Sequence, residues 1–225
     1  MTMTAQQLSD EGFAPNIAGA TVLFKLPVLR QLVAFLGGVP ATSSHLRRCL
    51  QREAPHNITF VVPGGIGEMF YTRPDVEHIL SDHKGFVKLA LQTGANLVPV
   101  YCLGHTQLFD VAGGALGALC ERFSRWARTS ILLWSGRWGL PFMPHPQKMV
   151  VLVGEPIQVG AADPNPPREA VDALHARFCS DLVALFHQHK SACPGYEGKE
   201  LFLGSNAPVP PMPVPELAEF SRSKL

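Results

Sequence analysis

The chain has 225 residues and a mass of 24.5 kDa, enough for one core of ordinary size or at most two small ones. Apolar residues make up 46% and charged residues 16%, a balance that excludes a disordered chain. The net charge of +1 supplies no field for a polyanion, so nucleic acid is not an expected partner. Twenty glycines and twenty prolines are about 18% of the chain against the usual roughly 12%, which implies many turns and close backbone approaches.

Met1 to Gly12 is read as an irregular N-terminus; it carries Asp10 and Glu11 and no apolar run, so it is not a signal peptide. A single unit is expected over residues 13–192, with no internal repeat or linker. Its most apolar early part, Ile17 to Val39, is broken by Lys25, Pro27 and Arg30. That segment can lie on a membrane surface or cover the core, and the core is the reading taken. Within it Leu26 to Leu36 is predicted helical, and Ser44 to Glu53 forms the next helix. No run of 18 apolar residues occurs, so no single helix is expected to span a bilayer.

Asn57 to Val62 (NITFVV) is a β-branched run closed by Pro63-Gly64-Gly65 and predicts a buried strand. Lys84 to Gln92 predicts a helix with Phe86, Leu89 and Ala90 on one side and Gly94 as its C-terminal cap. Asn96 to Leu103 predicts a second buried strand despite Pro99, and Met149 to Val153 a third. From Arg168 to Lys190, Val171, Leu174, Phe178, Leu182, Leu185 and Phe186 recur at steps of three and four, one face of a long helix. Asp163 or Asn165 would cap it, with Pro166 and Pro167 in its first turn. Residues 193–225, crowded with proline between Pro208 and Pro215, read as an irregular tail. Strands alternating with helices imply an α/β fold with a mixed or parallel sheet flanked by helices.

Chemistry concentrates in two places. In Val61 to Glu68 (VVPGGIGE), Gly64, Gly65 and Gly67 can turn backbone N–H groups toward an anion, and Glu68 can orient a hydroxyl or accept its proton. The same residues also suit a plain tight turn. Neither a P-loop nor a dinucleotide fingerprint is present. In the second place, Lys84 and Lys88 are four apart and share a helix face that could meet an anionic ligand such as a coenzyme A phosphate, or simply face solvent. His105 to Asp110 matches His-x4-Asp, a carboxylate-oriented imidazole base. Arg122, Arg125 and Arg128 beside Trp126, Trp134 and Trp138 suit either an interfacial helix or a core helix with a basic outer face. The five cysteines (Cys49, Cys102, Cys120, Cys179, Cys193) include no CxxC pair, and the histidines show no metal-ligand spacing. Reduced thiols, no metal and no bound cofactor are expected.

Taken in order, Pro27 to Arg30, Gly37-Gly38, VVPGGIGE, Lys84 to Ala90 (KGFVKLA), Gly94 to Tyr101 (GANLVPVY) and Val153 to Ile157 resemble the type-2 diacylglycerol acyltransferase family, with its monoacylglycerol and wax-ester members. The resemblance covers about Phe13 to Lys190. It implies a glycerolipid acyltransferase-like fold and transfer of an acyl group from acyl-CoA, as co-substrate, to a neutral-lipid hydroxyl. The place implied is the endoplasmic reticulum membrane or a lipid droplet. Glu68 with Gly64 and Gly65 matches the family's Gly-Gly-x-x-Glu, and Arg30, Lys84, Gly85, Phe86 and Pro99 match positions expected to touch acyl-CoA or acceptor. The family's His-Pro-His-Gly, seat of its presumed catalytic histidine, is absent. The chain therefore reads as the carboxy-terminal two thirds of the family domain, an acyltransferase expected to lack turnover as this truncated chain alone; the alternatives are a non-catalytic lipid-surface module and a relocated base pair of His105 with Asp110. His105 stands where the family has the Glu of Phe-Gly-Glu. In the related glycerophosphate acyltransferases, moreover, His-x4-Asp precedes the glycine-glutamate motif instead of following it.

Overall fold

The computed structural model describes residues 16–25, 27–53, 57–64, 77–79, 82–111, 134–140 and 143–204. The α/β class holds, but among the described residues the strands form four small sheets in place of one. Strand β1 (Asn16–Gly19) lies between β2 (Gly38–Pro40) and β3 (Thr59–Phe60), all parallel. Two helices follow β1 and β2 in turn: α1 (Pro27–Phe35) and α2 (Ser43–Leu50). The Thr42 hydroxyl caps α2 by accepting from the His45 N–H. The run NITFVV is strand only at Thr59–Phe60, and Val61 and Val62 are exposed, so the buried strand expected there is corrected. Among the described residues β3 is an edge strand, paired with β1 on one side, and its Phe60 is exposed as well.

The core is built elsewhere. Strands β5 (Val100–Leu103) and β8 (Val150–Val153) pair antiparallel, Tyr101 opposite Leu152 and Leu103 opposite Val150. Period-two alternation turns Tyr101, Leu103 and Leu152 inward and leaves Val151 and Val153 exposed. The second and third strands are thus buried on one face only. Helix α3 (Gly85–Thr93) buries Val87, Leu89 and Ala90, and ends at Gly94, whose φ of +70° is the left-handed cap that glycine favours.

Helix α4 (Arg168–His189) lays Leu182, Leu185 and Phe186 on the inward face of β5 and β8. Its N-cap is Pro167, without a side-chain bond; Asp163 instead accepts from the Asn165 N–H in a turn of its own. Four further strands are two-residue or three-residue pieces: β4 (Glu77–Ile79) pairs parallel with β9 (Leu201–Leu203), and β6 (Asp110–Val111) antiparallel with β7 (Trp134–Ser135). The irregular tail drawn from Cys193 is therefore corrected as far as residue 204. Cys193, Tyr196 and Leu201 are buried with Phe186 in the main core, because two large side chains and a thiol in that short segment gain more from burial than its prolyl and glycyl neighbours cost in order.

Candidate active site

The site grows out of the end of β5. Gly104 has φ +91°, and a Cβ on it would stand 2.3 Å from the Lys148 carbonyl oxygen, so the sharp turn there admits glycine alone. The turn leads into one 3-10 turn, His105–Gln107, in which His105 is exposed and Thr106 buried.

Beneath that turn lies Glu77 of β4, fully buried. The Lys199 ammonium and the Thr106 hydroxyl each donate to its Oε1 at 2.9 Å, and the Tyr101 hydroxyl donates to Oε2 at 2.5 Å. Burial alone would push the Glu77 carboxyl up. The hydrogen bonds from Tyr101 and Lys199, with the charge of His105, outweigh that and hold it below the usual carboxylate range. The Lys199 ammonium also stands 3.9 Å from the centroid of the Tyr196 ring. Tyr196 accepts from the Gly104 N–H at 2.7 Å, and burial raises its phenol above the ordinary value despite the Thr106 contact. Strand pairing β4–β9 brings Glu77 and Lys199 together across 122 residues of sequence.

His105 sits at the rim of this cluster. Its Nδ1 is 2.6 Å from the Cys102 carbonyl, which can only accept, so Nδ1 carries the proton and Nε2 is the open nitrogen of the neutral ring. Nε2 stands 3.9 Å from Glu77 Oε2, and the ring packs edge-on against Tyr101. The expected His105–Asp110 pairing is corrected. The 3-10 turn ends before Asp110, which starts β6, and Asp110 binds His145 Nε2 at 2.8 Å. The His145 N–H donates to the Leu108 carbonyl at 2.8 Å, and the Gln147 amide donates to Gln107, so residues 145–147 brace the turn from its far side.

The remaining expected residues divide by surroundings. Gly64 is buried in the turn after β3, whereas Gly65, Gly67 and Glu68 lie outside the described residues, as do Arg122, Arg125, Arg128 and Trp126. Lys84 precedes α3 and donates to Asp172 of α4 at 2.7 Å, which holds that carboxyl low. Lys84 thus ties two helices, and Lys88 is left exposed alone on the face the two were expected to share. Gly85 opens α3. Phe86 packs edge-on against Phe178 with ring centroids 5.1 Å apart, a helix–helix contact. Pro99 is fully buried, its carbonyl accepting from the Gly154 N–H at 2.8 Å; its missing donor falls in the gap between the Leu97–Ile157 bridge and β5. Arg30 is exposed on α1, and no contact among the described residues links it to Glu77. Among the described residues no group of three His, Cys, Asp or Glu could hold a metal.

No motif or spacing in the sequence singles out Glu77, Thr106, Tyr196 or Lys199. Glu77 is one charge in an unremarkable stretch, and the other end of its cluster falls in the segment taken for a tail.

A sequence model described as diacylglycerol acyltransferase matches residues 1–203. The chain belongs to this family. The match takes in β9 and Lys199, in keeping with a core that continues past Cys193. Among relatives, the chain is 31% identical over 201 residues to the acyl-CoA wax alcohol acyltransferase 2 of Homo sapiens, covering 84% of this chain and 60% of that protein. It is 32% identical over 191 residues to the diacylglycerol O-acyltransferase 2-like protein 6 of Homo sapiens, covering 78% and 56%. It is 30% identical over 192 residues to the diacylglycerol O-acyltransferase 2 of Bos taurus, covering 80% and 52%. The chain spans between half and three fifths of the length of these relatives. No solved structure matches it. Among the described residues no helix is long and apolar enough to cross a membrane.

Proposed function

We propose that the chain works as an O-acyltransferase of neutral-lipid synthesis, moving an acyl group from acyl-CoA to diacylglycerol or a related lipid hydroxyl. The cytosolic face of the endoplasmic reticulum or a lipid droplet is the proposed place, and a glycerolipid acyltransferase-like arrangement the proposed fold. The observation that carries the reading is the family match over residues 1–203, with relatives named for acyl transfer to wax alcohols and diacylglycerol.

The geometry supports a division of labour. With Nδ1–H anchored on Cys102, His105 offers its Nε2 lone pair to the acceptor hydroxyl. As that proton moves to Nε2, the oxygen attacks the thioester carbonyl. The new O–C bond forms, the C–S bond breaks, and the departing coenzyme A thiolate takes the proton back from the imidazolium. Glu77, kept ionised by Tyr101 and Lys199, stabilises the imidazolium while it exists. Gly64, Gly65 and Gly67 are the proposed donors to the oxyanion, with Glu68 beside them.

The test is transfer of labelled acyl-CoA to diacylglycerol, monoacylglycerol and fatty alcohol in detergent micelles. Wild type is compared with His105→Ala, Glu77→Gln and Glu68→Gln. His105→Ala is expected to lower kcat by roughly 10²–10⁴, the ordinary share of a general base. Full activity in that variant would end the assignment of the base. The second reading, a non-catalytic lipid-surface module, is favoured by the exposed apolar face of the N-terminal sheet. Vesicle binding by a folded chain that transfers no acyl group to any acceptor would establish it.

A further inference from the structure

One buried hydroxyl holds both sequence neighbours of His105. The Gly104 N–H donates to the Tyr196 phenol oxygen at 2.7 Å, and the Thr106 hydroxyl stands 3.2 Å from the same oxygen. Proton counting gives the direction of the second contact. A threonine hydroxyl has one proton, and that of Thr106 goes to Glu77 Oε1 at 2.9 Å. The Tyr196 O–H therefore donates to Thr106 Oγ1. A one-way chain results, from the Gly104 N–H to Tyr196, from Tyr196 to Thr106 and from Thr106 to the Glu77 carboxylate, and each donor polarises the next.

The segment past Cys193 carries the phenol to this place. The Tyr196 N–H donates to the Cys193 carbonyl at 3.2 Å, and the Tyr196 carbonyl accepts from the Lys199 N–H at 3.1 Å. The ring is fully buried, tilted against Phe186 with centroids 6.4 Å apart, and the Lys199 ammonium stands over it. None of that packing needs the hydroxyl, since a phenylalanine ring fills the same space and keeps the same quadrupole toward Lys199. What the hydroxyl adds is a link between two separate determinants of the imidazole. One is the turn that brings His105 Nδ1 to the Cys102 carbonyl. The other is the carboxylate 3.9 Å from His105 Nε2.

We propose that Tyr196 is a positioning residue for acyl transfer, its hydroxyl locking the turn on both sides of His105 so that Nδ1 stays on the Cys102 carbonyl and Nε2 stays beside Glu77. The inference rests on His105 as the base of the proposed reaction. Tyr196 is buried beneath that base and acts through it, so substrate binding does not depend on the hydroxyl. A base displaced by about 1 Å loses roughly 10²-fold in rate. The loss belongs in kcat and leaves both KM values in place.

The experiment compares Tyr196→Phe with wild type on the full 225-residue chain. The first readout needs no turnover: nitrogen NMR of histidine-labelled protein, with the His105 signals assigned by their loss in His105→Ala. The neutral His105 ring of wild type should carry its proton on Nδ1, and Tyr196→Phe should show a mixture of the two tautomers. The second readout is transfer from labelled acyl-CoA to diacylglycerol, where Tyr196→Phe should lower kcat roughly 10²-fold at unchanged KM for both substrates. In the His105→Ala background the same substitution should lower the residual rate no further, because residues that act as a unit are not additive. Thr106→Val breaks the chain one link on and reads it where Tyr196→Phe does not fold; Thr106→Ser, which keeps a hydroxyl, should lose less. An unchanged tautomer in folded Tyr196→Phe would overturn the proposal. So would an equal factor lost with and without His105, which would make the hydroxyl a structural group only. Full activity in His105→Ala would end the assignment of the base itself, whereas lost activity there beside an unchanged kcat in Tyr196→Phe would end this inference alone.

Discussion

The two halves of the molecule treat apolar side chains in opposite ways. Around α4, nearly every large side chain that leaves water finds a partner from a distant part of the sequence: Phe186 with Tyr101 and Tyr196, Leu152 with Leu182. Around α1, equally apolar residues such as Phe35 and Val62 stay in solvent. The difference teaches that a run of hydrophobic residues specifies burial but not what does the burying. The α4 half obtains its cover from the chain itself. The N-terminal sheet and α1 leave apolar side chains of their own exposed.

The contrast breaks most severely where the covered half is hollowed out. Phe186→Ala removes a fully buried ring and is expected to cost about 3–5 kcal/mol, measured by denaturant unfolding. If the loss were under 1 kcal/mol, the α4 half would not be the stable core that the comparison makes it.

Next comes the buried charge. Lys199→Met leaves Glu77 buried without its cation, and breaking such a pair costs about 3–5 kcal/mol near neutral pH. The two proteins should respond to acid in opposite directions. In wild type the folded Glu77 carboxyl lies below its usual 4.5, so its contribution is complete above that value and is lost as pH falls through the folded pKa. Without Lys199 burial outweighs the remaining hydrogen bonds and the folded pKa rises. The penalty should then shrink as pH falls below the raised value and Glu77 folds in protonated form. Unfolding midpoints collected across that range check the sign, and parallel curves for the two proteins would contradict the paired geometry.

Gly104→Ala is a smaller disturbance. It forces a Cβ into the Lys148 carbonyl at φ +91°, and about 1–3 kcal/mol of strain is expected. Because Gly104 sets the direction of His105, this substitution should lower kcat in the acyl-transfer assay more than it lowers stability. Equal fractional losses would make Gly104 a folding residue only.

These expectations also separate what a sequence can show from what it cannot. Helix α4 is legible because its stripe is long and its period unambiguous, and α3 because Gly94 can only cap. The exposure of Phe35 is not legible, since an apolar stripe at helical spacing looks the same whether it faces a core or solvent. The candidate site is half legible. His105 stands out by type, but its partner depends on a parallel pairing of β4 with β9 that no local pattern announces, so Asp110, five residues on, is the nearer and wrong choice. The tail boundary fails for the same reason: Tyr196 and Lys199 belong to the core through contacts with residues about 90 to 120 positions away.

The smallest expected effect is the one that most sharpens the comparison. Phe35→Ser in the isolated protein removes a ring that is 86% exposed and should change unfolding free energy by less than about 0.5 kcal/mol, the ordinary range for a surface substitution. The denaturant slope should also stay constant, because no surface buried on folding has been altered. A serine in place of Phe186 would be ruinous, so the same chemical change reads out whether a phenylalanine is covered by this chain. A loss of 2 kcal/mol or more at Phe35 would mean that the chain itself covers the N-terminal face in solution, and the contrast between the two halves would disappear.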